Sequence, residues 1–223
     1  MFKKAIFAII EPMNNQNPAK QQLLAFWKET FNFSKGVLAA FEKVPREDFI
    51  AKDKKDFAYA DVPLPTAEGQ TISQPSTVMM MLDLLEIRPD DRILEIGCGS
   101  GYNAALMSVI AKNGQVTTCD ILESLTEKAK SNLRDYKNVE VVSDDGFKVA
   151  KQKGPFDKIV LTAAIKEIPD VLINNLNDSG IILAPVGNIF VQTMIRLRKS
   201  GGKIEKEEHG EFMFVPIRGE YGF

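Results

Sequence analysis

From residue 92 onward, short apolar runs alternate with amphipathic stretches, and that rhythm predicts the fold. Runs at 92–96, 115–120, 139–143, 156–162 and 181–185 have the length of buried strands. Helical spacing fills the segments near 101–111, 122–135 and 168–176. Leu122, Leu125, Ala129 and Leu133 give the second its apolar stripe, and Pro169 suits the first turn of the third. Gly180, after Asp178 and Ser179, reads as a helix-end and turn signal. Strands alternating with helices in this way predict a parallel sheet covered on both faces.

The flanks follow other patterns. Leu23, Leu24, Trp27 and Phe31 share a helical face, as do Val37, Leu38 and Phe41, and a third stripe after Pro75 joins Val78, Met81, Leu82 and Leu85. Residues 12–20, rich in Asn, Gln and Pro, predict a loop or lead-in. The stretch from Val62 to Pro75, with three prolines and Gly69, predicts a second loop. Near the end, Val191, Thr193, Ile195 and Leu197 alternate with Gln192, Met194, Arg196 and Arg198. Residues 200–203 can turn that strand back, and Phe212 to Ile217 supplies a further extended run, so an antiparallel ending is expected.

Composition then narrows the function classes. The 28 basic residues nearly balance the 30 acidic ones, and no basic face stands out, which argues against a nucleic-acid partner. Lys52, Lys54 and Lys55 are interrupted by Asp53 and Asp56 and read as a solvated loop. Cys98 and Cys119 are too few for a disulfide framework or a metal set, so buried thiols and no metal site are expected. His209 stands alone in a charged segment, Glu205 to Glu211, and reads as an exposed loop residue. The apolar start, Ala5 to Ile10, ends in Glu11-Pro12, short of the roughly 7–15 residues of a signal h-region. No stretch approaches the roughly 20 apolar residues of a membrane span. A cytoplasmic chain without a membrane partner is expected.

The candidate chemistry concentrates at residues 92–103. An apolar strand carrying Ile93, Leu94 and Ile96 runs into a turn with Gly97, Gly99, Ser100 and Gly101. Glycines so spaced are expected to let backbone amides approach a ligand. Asp120 ends the next strand, where an acid grips a ribose through its hydroxyls. Together these make the adenosine-binding half of a Rossmann-like sheet. A dinucleotide fingerprint would place its third glycine one position later, where Tyr102 stands. Glu95, two residues before Gly97, would repel a pyrophosphate and favours a cationic cofactor. Asp145-Gly146 ends the third strand and could accept a hydrogen bond from an adenine amino group. A loop with Thr71 and Ser73 precedes a helix, where Ser73 reads either as a functional hydroxyl or as a helix cap or turn residue. No His–Asp pair accompanies it, which argues against a serine-nucleophile triad.

The motif Glu95-x-Gly97-x-Gly99-x-Gly101 resembles the nucleotide loop of S-adenosylmethionine-dependent methyltransferases. Further blocks sharpen the likeness: Val44-Pro-Arg-Glu-Asp-Phe49, Ala58-Tyr-Ala-Asp-Val-Pro-Leu-Pro65, Gly69-Gln-Thr-Ile-Ser-Gln-Pro75, Phe156-Asp157 with Thr162-Ala-Ala164, and Phe214-Val-Pro-Ile217. With Leu94 to Tyr102, they are similar to the protein-L-isoaspartate O-methyltransferase family over about residues 35–217. Cys98 and Ser76 depart from the family's usual residues, and the Ser76 change bears on the substrate mouth. Arg218 to Phe223 diverge from its endings, so no site residue is carried onto them.

The resemblance implies a Rossmann-like α/β methyltransferase fold: a mostly parallel sheet, antiparallel C-terminal strands, helices on both faces and an N-terminal helical cap. One domain over 1–223 is expected, with cap and substrate loop at 1–75, cofactor-binding core at 76–187 and C-terminal strands at 188–223. The resemblance also implies S-adenosyl-L-methionine as cofactor and methylation of L-isoaspartyl carboxylates in damaged proteins and peptides by a monomer. By the same matching, Ser73 takes the active-site role. Gln70, Thr71, Ile72, Glu95, Gly97, Gly99, Ser100, Gly101, Asp120, Ile121, Asp145 and Gly146 bind the cofactor. The rival readings are a methyltransferase acting on RNA or a small molecule, and an inactive homologue that binds the nucleotide or a partner.

Overall fold

The computed structural model describes residues 17–223; the apolar start and the lead-in up to residue 16 lie outside them. Two helices, α1 (Pro18–Thr30) and α2 (Lys35–Lys43), open the described chain. A small hairpin of β1 (Leu64–Pro65) and β2 (Thr71–Ile72) leads into α3 (Pro75–Leu85). The alternating part follows as β3 (Arg92–Ile96), α4 (Tyr102–Ile110), β4 (Gln115–Asp120), α5 (Glu123–Leu133), β5 (Val139–Ser143), α6 (Gly146–Lys153), β6 (Phe156–Leu161), α7 (Asp170–Asn174) and β7 (Leu176–Gly187). The chain closes with β8 (Gln192–Ser200) and β9 (Lys203–Phe212).

Seven strands form one sheet in the order β5-β4-β3-β6-β7-β8-β9. The first five run parallel and the last two antiparallel. Strand order reverses at β3, which opens a crevice at the carboxyl end of that strand. Alternation along the strands divides the core. Ile93, Val160, Ile181 and Leu183 pack on one face with Trp27, Phe41, Met79 and Leu106. Leu94, Ile159, Leu161 and Ile182 pack on the other with Phe147, Phe156 and Leu172.

Several expectations need correction. The lead-in ends early: α1 begins at Pro18, with Asn17 accepting from the Ala19 amide at 3.0 Å, and Phe31 lies just past the helix end. No local period marks helix α6, because Phe147, Val149 and Ala150 are its only buried residues larger than glycine along two turns, too short a stripe. Helix α7 has five residues, since Leu176 already pairs with Phe156 of β6. Gly180 lies inside β7 and ends no helix. Ser179 adopts φ 65° beside it, and the pairing with β6 slips there. The returning strand is 203–212, not 212–217. None of its side chains is buried and most are exposed, so backbone pairing to β8 defines it and no apolar alternation marks it. His209 therefore sits half-buried in a strand, 3.2 Å from Glu207. Residues 52–57 form an exposed 3-10 turn.

Candidate active site

A cleft of about 970 Å³, counting its open mouth, lies over the carboxyl ends of the central strands. One wall is the turn after β3. Gly97 has φ 103°, and a Cβ there would collide with Thr162 Oγ1, whose hydroxyl donates to the Gly97 carbonyl at 2.6 Å. The Gly97 and Cys98 amides both donate to the Cys119 carbonyl, at 2.8 and 2.9 Å. Those two amides thus bind β4 to the turn and do not face a ligand, contrary to expectation. Gly99, at φ 49°, differs: a Cβ there would meet nothing within 4 Å, so the missing side chain leaves open space at the cleft. Gly101 packs on Leu133 and Ala129 of α5, behind the lining.

Two acids face this space. Glu95 is fully buried, accepting from Asn103 Nδ2 at 2.9 Å and Thr118 Oγ1 at 2.5 Å. Burial pushes its carboxyl up to about 7, partly opposed by those two bonds. Asp120 accepts from the Leu122 amide at 3.1 Å, and partial burial raises its carboxyl above its ordinary value despite that bond. Ser100 and Ile121 complete this wall.

Gly146 also lines the cleft, whereas Asp145 lies behind it. The two Asp145 oxygens accept from the Phe147 amide at 2.9 Å, which caps α6, and from the Glu220 amide at 2.8 Å. The divergent C-terminal end is therefore packed against the site. Across the end of β6, residues 215–217 are held by bonds from Ala164 N to Val215 O and from Ile217 N to Ala164 O, each 2.8 Å. This strap brings Arg218 to the lining, a cation the sequence reading left out.

The opposite wall comes from the β1–β2 hairpin, whose register pairs Leu64 with Ile72 and Pro65 with Thr71. It carries Gln70, Thr71, Ile72 and Ser73 to the cleft. The cap reading of Ser73 fails, because Gln74 holds the N-cap position of α3. The Ser73 carbonyl accepts from Arg46 Nη2 at 2.8 Å, and its hydroxyl has no partner among the described residues. Ser76 is bound inward: it accepts from Trp27 Nε1 at 2.7 Å and donates to Asp61 Oδ2 at 2.7 Å. Arg46, Asn103, Thr118 and Thr162 were not singled out for the site. The roles of Arg46, Thr118 and Thr162 depend on neighbours far along the chain, and that of Asn103 on the turn that folds it back over Glu95, which no local pattern signals.

A family model described as Protein-L-isoaspartate(D-aspartate) O-methyltransferase (PCMT) matches residues 18–222. The chain is 39% identical over 207 residues to protein-L-isoaspartate O-methyltransferase 2 of Archaeoglobus fulgidus, covering 92% of this chain and 94% of that one. It is 45% identical over 191 residues to protein-L-isoaspartate O-methyltransferase of Methanococcoides burtonii, covering 84% and 94%. Its fold is similar to a crystal structure of a protein described as a putative protein-L-isoaspartate O-methyltransferase from Plasmodium falciparum, in complex with S-adenosyl-L-homocysteine. That match has a TM-score of 0.80 at 24% identity, covering 91% of this chain and 99% of the other.

Proposed function

The chain belongs to the protein-L-isoaspartate (D-aspartate) O-methyltransferase family, and on that premise we propose how its cleft performs carboxyl methylation. The reaction transfers a methyl group from S-adenosyl-L-methionine to the free α-carboxylate of an L-isoaspartyl residue, which begins repair through a succinimide. That carboxylate titrates near ~3.5 and is already an anion at neutral pH. No general base is needed, in keeping with a cleft without histidine. The cofactor, when bound, supplies an electrophilic methyl sulfonium. Its cationic character suits a wall with one buried acid, Glu95, and one half-buried acid, Asp120, and the open space before Gly99 gives it room.

The chain's own part is binding and alignment. Glu95, oriented by Asn103 and Thr118, takes the cofactor's ammonium, and Asp120 takes the ribose hydroxyls. Gln70, Thr71 and Ile72 close over it, with Gly97, Ser100, Ile121 and Gly146 lining its bed. Gly101 and Asp145 support that bed from behind. The Ser73 hydroxyl donates to the substrate carboxylate and holds it in line with the methyl carbon. Such alignment can contribute roughly 7–11 kcal/mol in well-oriented cases. One observation carries this assignment: an unpartnered Ser73 hydroxyl and the two acids line a single cleft.

In this reading residues 17–75 form the cap and substrate loop, 76–187 the cofactor core and 188–223 the closing strands. The protein acts as a cytoplasmic monomer on damaged proteins and peptides, not on nucleic acid. The two free, buried thiols, Cys98 and Cys119, support a reducing compartment. Among the described residues, no helix is long and apolar enough to cross a membrane.

The test is Ser73→Ala, assayed with an isoaspartyl peptide and its normal aspartyl twin. Losing one hydrogen bond to a charged group, worth about 1.5–3 kcal/mol, should cut kcat/KM by about 10–100-fold. Affinity for S-adenosyl-L-homocysteine, measured by calorimetry, should stay within about threefold. Unaltered turnover would remove Ser73 from its role, and equal labelling of the two peptides would remove the substrate.

A further inference from the structure

Behind the substrate wall sits a cation with no anion beside it. The Arg46 side chain is fully buried, and among the described residues it forms no ion pair. Nη2 holds the Ser73 carbonyl at 2.8 Å, while Nε and Nη1 are buried without a carboxylate partner among the described residues. Its Cζ lies 5.0 Å from the ring centroid of Tyr102, whose buried phenol stays neutral and supplies no counter-charge. The nearby acids are engaged elsewhere: Glu47 takes the Tyr59 hydroxyl, and Asp61 takes Ser76. Arginine does not shed its proton, and a buried cation without a paired anion is strongly unfavourable. Ser73 and Tyr102 both line the cleft, so the guanidinium stands directly behind the surface that meets the substrate.

We propose that Arg46 is a positioning residue whose buried charge draws the isoaspartyl α-carboxylate to Ser73, the missing counter-ion arriving with the substrate. This rests on the carboxyl-methylation reading above. A charge in a low-dielectric wall is weakly screened, so its field reaches the cleft through one layer of backbone. The direction of its kinetic effect follows from the chemistry. The carboxylate is fully anionic when it binds and loses charge as its oxygen accepts the methyl group. Arg46 therefore favours the bound substrate more than the transition state, and acts on KM without raising kcat. Arg218, exposed at the cleft mouth, is the alternative source of that attraction.

The experiment compares Arg46→Gln, which keeps an N–H donor for the Ser73 carbonyl but no charge, with Arg46→Lys, which keeps the charge, and with Arg218→Gln. Arg46→Met, neutral and able to fill the same space, replaces the Gln variant if that one fails to fold. Each is assayed with a short isoaspartyl peptide, by calorimetry with S-adenosyl-L-homocysteine, and by thermal unfolding. The neutral Arg46 variant should raise KM about tenfold or more, with kcat equal or slightly higher and cofactor affinity within about threefold. Arg46→Lys should recover most of the KM. An unchanged KM in a folded neutral variant, no recovery with Lys, or the whole effect residing in Arg218→Gln would each overturn the inference. A parallel fall in kcat, cofactor affinity and melting temperature would reduce Arg46 to a structural part, also against it. If the wild-type protein turns over the peptide, such results sink this inference alone. If the wild-type protein ignores the peptide, the assigned reaction falls and the inference with it.

Discussion

The two walls of the cleft are built by different means. The wall we assign to the cofactor is made of strand ends held main chain to main chain: the Gly97 and Cys98 amides on the Cys119 carbonyl, and the Thr162 amide on the Ile96 carbonyl at 3.1 Å. The wall we assign to the substrate is a loop between short elements, held by side chains from distant parts of the chain. Arg46 reaches Ser73 across 27 positions, Trp27 reaches Ser76 across 49, and Ser124 meets Glu68 across 56. A wall of the first kind leaves no room for an added Cβ where its main chains meet, as at Gly97. A wall of the second kind tolerates bulk at its mouth but not the loss of a single anchoring group.

The largest effect is expected from breaking the cofactor wall at its tightest point. Gly97→Ala places a Cβ against Thr162 Oγ1 at φ 103°. The backbone strain alone costs about 1–2 kcal/mol, before the collision is counted. Affinity for S-adenosyl-L-homocysteine should fall more than tenfold by calorimetry, with a lower melting temperature. Wild-type binding by this variant would show that the turn after β3 is not the cofactor bed.

A change of pH sharpens the contrast next, since it acts on the cofactor wall through Glu95. The folded free protein holds this carboxyl at about 7, above the ordinary value of 4.5. It therefore binds the Glu95 proton more tightly than the unfolded chain does. Stability contributed by the protonated form is present below about 4.5 and is lost as pH rises through about 7. Under the proposed assignment of Glu95 to the cofactor's ammonium, cofactor binding runs the other way, because that cation needs the ionised carboxylate. Affinity should climb with pH and level off above about 7, changing by at most about tenfold per unit below it. Paired calorimetry and melting curves between about pH 5.5 and 8.5 check both slopes, and Glu95→Gln should flatten them.

The smallest effect concerns the substrate wall's outer anchor. Ser76→Ala leaves the Trp27 indole N–H without its acceptor in a buried position. The cost should be about 1–2 kcal/mol of stability by denaturant unfolding, with a smaller loss of turnover than Ser73→Ala causes. A turnover loss as large as that of Ser73→Ala would mean that Ser76 contributes to the chemistry.

The same division decides how much was legible in the chain. Strands β3, β4 and β5 stand at their expected limits because apolar runs bounded by polar or glycine positions are a local property. The acids fall where a parallel sheet puts strand ends, so Glu95 and Asp120 reach the cleft once the topology is known. Helix α6 and strand β9 escaped notice. One has too short an apolar stripe, and the other is an exposed edge that its neighbour alone defines.

By itself, the order of residues determined the alternating sheet, the glycine turn with its timed acid, and through its matching blocks the family. Each depends on spacing within a few dozen residues, and hydrophobic period and backbone sterics act over that range. Only the tertiary structure decided that the Gly97 and Cys98 amides face Cys119, that Ser73 is not a helix cap, and that Arg218 reaches the lining. It also decided that Arg46 lies buried and uncompensated behind the substrate loop. Burial and charge compensation are set by what packs around a group, and those neighbours come from parts of the chain that no local pattern connects.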